Sequence, residues 1–300
     1  METPVGPEVA ARTRWQRFMR FPLTRMALAI FITALAGGLS LTYLGRLAEA
    51  WGGSLWPELV AAAILLLAYG LYVRIFEKRP VAELSAVKGL PEFGAGLLTG
   101  AALVACVAAL VAALGSYRIV GMNAWTMEVL APLATMTFVG VFEELLSRAI
   151  VFRITEQSLG SWAALAISSL LFGLAHAPGE SVGLLAGAIA VVAGVMFAAA
   201  YMLTRRLWLA LGIHIAWNYT LGSIFSVAVS GREATGLFVG TLSGSELLTG
   251  GAYGFEASVV TLVVLGILSV ALLRAAWAKG HFVALGKSPA PTSAAPCAPS

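Results

Sequence analysis

Three short stretches place proton-handling side chains inside otherwise apolar sequence. The first, Val141-Phe142-Glu143-Glu144-Leu145-Leu146-Ser147-Arg148, carries three charges. The second, Phe172-Gly173-Leu174-Ala175-His176, runs up to Pro178-Gly179, and the third is His214-Ile215-Ala216-Trp217-Asn218. Carboxylate and imidazole are the groups that activate water and pass its proton on near neutral pH. An imidazole N–H and a carboxamide are donors suited to a developing oxyanion. The chemistry these types allow is proton transfer coupled to stabilisation of a developing negative charge.

Helical spacing sorts the roles. Glu143 and Glu144 lie about 100° apart around a helix, so one is expected to face a cavity and the other a partner. Arg148 follows Glu144 by four, on the same face and in the favourable acid-to-base order. Glu144 and Arg148 therefore read as a buried supporting pair that frees Glu143. His214 and Asn218 share a face, and Phe172 sits one turn before His176, placed to shield or orient its ring. Any one motif alone describes equally well a polar group holding helices together. Three such patches in one chain, with two of its 3 histidines, weigh against that reading.

The elements that must position these residues follow from composition. Hydrophobic residues make up 59% of 300 and charged residues 11%, against about 25% charged in soluble domains. That excludes a soluble cytosolic enzyme, a disordered chain and, despite a net charge of +4, a nucleic-acid binder. The expected fold is all-α, a polytopic membrane protein of about eight transmembrane helices. Stretches of roughly 20 apolar residues occur at Met26–Gly45, Leu59–Phe76, Phe93–Tyr117, Thr126–Gln157, Ser161–Ala177, Ser181–Thr204, Leu207–Val229 and Ala257–Leu273. With the amino terminus cytoplasmic, only Arg46, Arg118 and Arg232 of the 19 Lys and Arg fall outside. The positive-inside rule then puts both termini in the cytoplasm. Residues 1–25 read as a basic surface segment with Trp15, Phe18 and Phe21 interleaved, 26–279 as the transmembrane domain, and 280–300 as a disordered Pro/Ala/Ser tail. His281 is expected at the surface. Cys106 reads as a small hydrophobe and Cys297 as an inconsequential tail residue.

The ordered set Glu143-Glu144-x-x-x-Arg148, Phe172-x-x-x-His176 and His214-x-x-x-Asn218 resembles the three signature motifs of the CAAX protease and bacteriocin-processing (CPBP/Abi) family, which includes the Rce1-type prenyl endopeptidases. No signature position departs from the pattern. The resemblance implies an intramembrane endopeptidase in which Glu143 and His176 activate water while His214 and Asn218 hold the oxyanion. Its substrate would be a peptide or protein, with lipid modification left open. Bacterial-style composition without eukaryotic targeting signals places the expected setting in a prokaryotic inner membrane.

A zinc mechanism competes, with Glu143, His176 and His214 as a His₂Glu ligand set. Asn218 on the His214 face favours the metal-free form, which needs no cofactor. Two other classes stay open: a non-catalytic immunity or scaffold protein, and a proton-coupled transporter, which the lack of an inverted repeat disfavours. One difficulty is depth. His214 lies only eight residues past Arg206, whereas Glu143 and His176 lie 16–17 from the turn at Leu159-Gly160. Strong tilt, or a fifth helix ending within the membrane at Pro178, would bring them level.

Overall fold

Leu, Val, Ala and Gly dominate the spans, so nearly every residue there is content in a helix whose outer face meets lipid and whose backbone satisfies itself. The computed structural model describes residues 21–50, 56–176 and 183–286. The basic amino-terminal residues 1–20, Pro178-Gly179 and the tail with Cys297 lie outside them. Among the described residues, eight helices of 12 residues or more follow in order: α1 (Pro22–Ala50), α2 (Trp56–Tyr72), α3 (Gly89–Ala113), α4 (Pro132–Glu144), α5 (Arg153–Ala175), α6 (Leu184–Thr204), α7 (Trp208–Tyr219) and α8 (Val259–Ala278). Six helical stretches are long and apolar enough to cross a membrane, one of them the continuous run Met127–Ala175. The chain is an all-α, multi-pass integral membrane protein.

The run from Met127 holds two passes. Gly160 interrupts it with φ 80 and ψ 171. A straight helix would put Glu143 and His176 about 50 Å apart at 1.5 Å per residue. Their side chains are 3.4 Å apart, so the chain reverses at Gly160. Only glycine fits there: a Cβ would lie 2.9 Å from the Val283 carbonyl oxygen at a positive φ. α7, at 12 residues, is too short to span alone and continues as a π-helix over Thr220–Ile224.

α3 and α7 pack backbone to backbone. Gly96 and Gly100, four apart, leave room for the carbonyls of Leu209 and Ile213, and Gly212 faces the Phe93 carbonyl in return. Small residues at this spacing are how membrane helices approach closely without hydrophobic drive.

One end of the bundle carries a buried ion network. Glu77 accepts from Arg25 at 2.7 Å, Arg79 at 2.6 Å and Arg153 at 2.9 Å. Glu83 accepts from Arg79 at 2.5 Å, lies 3.2 Å from Arg153 Nε as an ion pair, and pairs with the Tyr69 hydroxyl. The opposite end carries an antiparallel hairpin-like sheet, β1 (Tyr117–Met122) with β2 (Phe238–Leu242). The sequence reading had continued the third span to Tyr117, but its helix stops at Ala113 and Tyr117 opens β1.

His281 departs from its expected surface position. Its Nδ1 sits 2.8 Å from the Met202 carbonyl, and Arg205 donates to the His281 carbonyl. Val283 exchanges bonds with Ser161, N–H to Oγ at 2.8 Å and carbonyl to N–H at 2.9 Å. The segment expected to be a free tail from 280 thus packs against the Gly160 turn up to the last described residues. Helix ends leave backbone groups unpaired, and this returning segment supplies partners for the Met202 carbonyl and the Ser161 N–H.

Candidate active site

α4 delivers Glu143 and Glu144 at its last turn, just before the backbone widens into a π-helix over Leu145–Phe152. Such stretches are rare and recur at functional sites. Glu144 and Arg148 pair at 3.0 Å and are both buried, Arg148 at 1% exposure. Arg148 also donates to the Gly194 carbonyl at 3.1 Å, and its guanidinium lies 4.6 Å from the Phe172 ring and 5.0 Å from the Phe197 ring. A buried cation between two aromatic faces keeps electrostatic contact where water is excluded.

His176 caps α5. Its Nδ1 lies 2.8 Å from the Phe172 carbonyl, which makes Nδ1 the donor and turns Nε2 towards Glu143 Oε2, 3.4 Å away. Phe172 covers the same ring, with centroids 4.3 Å apart. His214 behaves alike. Its Nδ1 sits 2.9 Å from Glu144 Oε1 and its Nε2 3.7 Å from Glu143 Oε2. Phe197 stacks on it at 4.5 Å and 16°. The two neighbouring glutamates therefore do meet one centre, taking opposite edges of His214, although the helical angle had suggested that only one would. Asn218 lines the same cavity one turn on and makes no side-chain hydrogen bond among the described residues.

The depth difficulty resolves at the ends of the helices. Leu207 N–H bonds to the Glu83 carbonyl, and Glu83 is tied to Arg153. α7 thus starts level with Arg153, ten residues from Glu143, rather than with Gly160. The limb of α5 that follows Gly160 begins lower and ends at Ala175, just before His176.

A cavity of about 1110 Å³ opens above these residues. One face of α4, Pro132 through Val139 to Glu143, forms one wall, and one face of α6, Ala186 through Ala193 to Phe197, forms another. Glu143 Oε2 is buried at the bottom with no hydrogen bond of its own, an arrangement that calls for a reason in a folded protein. The donor chemistry of Glu143, His176 and His214 is right for zinc. Glu143 Oε2 lies 3.4 and 3.7 Å from the Nε2 atoms of His176 and His214, and among the described residues no group of three His, Cys, Asp or Glu is arranged as a formed metal site.

Residues 124–220 match the family model described as Rce1-like, type II CAAX prenyl endopeptidase. The segment 124–220 is Rce1-like. No curated protein and no solved structure matches the chain. The Rce1-like segment contains all seven residues singled out by sequence, and α4 to α7 bring them to one place. The model that this segment matches describes endopeptidases.

Two contributors escaped the sequence reading. Phe197 gave no signal, because an aromatic in an apolar span is ordinary. Glu256 lies beyond the Rce1-like segment, in a 3-10 turn before α8. It lines the cavity, accepting from Trp217 Nε1 at 2.9 Å and from Ser230 N–H at 2.5 Å. It fastens the segment between α7 and α8 to Trp217, one residue before Asn218.

Proposed function

We propose that the chain is an intramembrane endopeptidase in which Glu143 activates water without a metal. The observation that carries this is the approach of both imidazole Nε2 atoms to one otherwise unbonded oxygen of Glu143, at the bottom of a cavity. Separations of 3.4 and 3.7 Å exceed a normal N–H···O bond and suit groups that share one water rather than bond directly.

Glu143 takes a proton from water as its oxygen attacks the scissile carbonyl carbon. The oxyanion receives hydrogen bonds from the Asn218 amide and from His214. Glu144 holds His214 at Nδ1, which leaves Nε2 as the ring nitrogen turned towards the oxyanion. The proton held between Glu143 and His176 then moves to the leaving nitrogen, the C–N bond breaks, and carboxylic acid and amine products result. Phe172 and Glu144 keep the two rings turned the right way.

The first test is Glu143→Gln, a nearly isosteric change that removes only the basic oxygen. Cleavage of a reporter peptide by purified protein should vanish while the thermal midpoint in detergent stays close to wild type. Wild-type turnover in this variant would remove Glu143 from the role of base. Elemental analysis separates the metal-free form from the zinc alternative: about one zinc per chain in wild type, lost in both His176→Ala and His214→Ala, would overturn it.

A further inference from the structure

Among the described residues, the exposed rim of the cavity lies at one end of the bundle. That rim is made of residues at the hairpin end: Glu128 before α4, and Ser230, Arg232, Glu233 and Thr235 between α7 and β2. Below the reacting groups the way is shut. Arg148 is 1% exposed, and beneath it Leu145, Ala149, Phe152 and Met202 are fully buried in one core cluster. No residue of the ion network at the opposite end lines the cavity.

Charge tells the two ends apart. Among the described residues, only Arg46, Arg118 and Arg232 stand at the hairpin end, and Arg148 lies under the cavity. Every other described Lys and Arg lies towards the far end, from Arg25 through Arg79, Arg153 and Arg205 to Lys279. Cytoplasmic flanks are the ones enriched in Lys and Arg. The cavity therefore faces away from the basic side.

We infer that the site is entered from the non-cytoplasmic face, and that its substrate is a membrane-anchored polypeptide whose scissile bond lies at or just within that face. This rests on the peptidase reading for the word substrate, but the sidedness does not. The walls suit such a molecule: apolar between α4 and α6 at Val139, Ile189 and Ala193, where an anchor would lie, and polar at the rim. The volume is at or above the roughly 300–1,000 Å³ of small-ligand pockets, room for several residues of extended chain. A substrate presented from the cytoplasm would meet the ion network and the closed floor.

Two measurements test this in cells. In a background with Cys106→Ala and Cys297→Ala, single cysteines are introduced as Thr235→Cys at the rim and Leu285→Cys at the opposite end. A membrane-impermeant maleimide should label Thr235→Cys on intact bacterial spheroplasts and Leu285→Cys only in inverted vesicles. The reverse pattern, or labelling of both from one side, overturns the inference whatever the activity. Single-span reporters then carry one cleavable segment on either side of the membrane. Cleavage dependent on Glu143 should occur with the non-cytoplasmic placement, and cleavage of the cytoplasmic placement alone overturns the inference. If labelling is as expected but neither reporter is cut by wild type, the sidedness stands and the peptidase reading falls.

Discussion

His214 is gripped at every edge: Glu144 at Nδ1, Glu143 near Nε2, and Phe197 across its face. Its orientation therefore depends on a carboxylate that touches no substrate. Glu144→Gln weakens the pairing to both Arg148 and His214, and Arg148→Ala strands Glu144 in a place that is 0% exposed. Breaking a buried pair costs about 3–5 kcal/mol. Both variants should show a lowered thermal midpoint and poor yield, which a differential scanning measurement in detergent would register, in contrast to Glu143→Gln. Spacing of four made the Glu144–Arg148 and Phe172–His176 relations legible from sequence, because helix geometry alone brings such residues together. The Glu144–His214 bond spans 70 residues. No local period encodes it; it exists only once α4 and α7 are packed.

The helices themselves were legible because lipid demands long apolar runs. What hydropathy could not convey was how near they come. The Gly96–Gly100 pair looked like ordinary small-residue content, yet a Cβ at Gly100 would stand 2.4 Å from the Ile213 carbonyl oxygen, one residue before His214. Gly100→Leu must push α7 away from α3. A misplacement of about 1 Å can cost on the order of 100-fold in rate, and overpacking typically costs about 1–3 kcal/mol. Turnover should therefore fall far more than the thermal midpoint does, and equal activity in variant and wild type would show that α7 is positioned by other contacts. The β1–β2 pair stayed hidden for another reason. Tyr117-Arg118-Ile119-Val120-Gly121-Met122 buries only Tyr117, so no alternation of apolar and polar residues marks it.

Across the whole molecule, structural charge and catalytic charge are kept apart. The network of Arg25, Glu77, Arg79, Glu83 and Arg153 ties α1, α2 and α5 at one end, while the reacting groups sit towards the other. Burial alone would raise the Glu83 carboxyl, but its bonds to Arg79 and the charge of Arg153 prevail and hold it below the ordinary 4.5. A depressed acid stabilises the fold above its unfolded value, and that stabilisation is lost as pH falls through the lower folded value. The thermal midpoint of wild type should drop as pH falls from neutral to below the ordinary carboxylate value. Glu83→Gln should start lower and change less over the same range, and parallel curves would show that the network does not govern acid stability.

The return of His281 and Val283 onto Arg205 and Ser161 sets an order of events during synthesis. The reversal at Gly160, on which the meeting of Glu143 and His176 depends, receives its closing partners from residues made more than 120 positions later. Leu265 of α8 completes the cavity wall just as late. While the ribosome is still adding α8, the earlier helices can be inserted, but the turn between α4 and α5 is unfastened and the cavity lacks a side. The nascent chain therefore passes through the translocation machinery without a finished site, and competence arrives only after translation has passed residue 283.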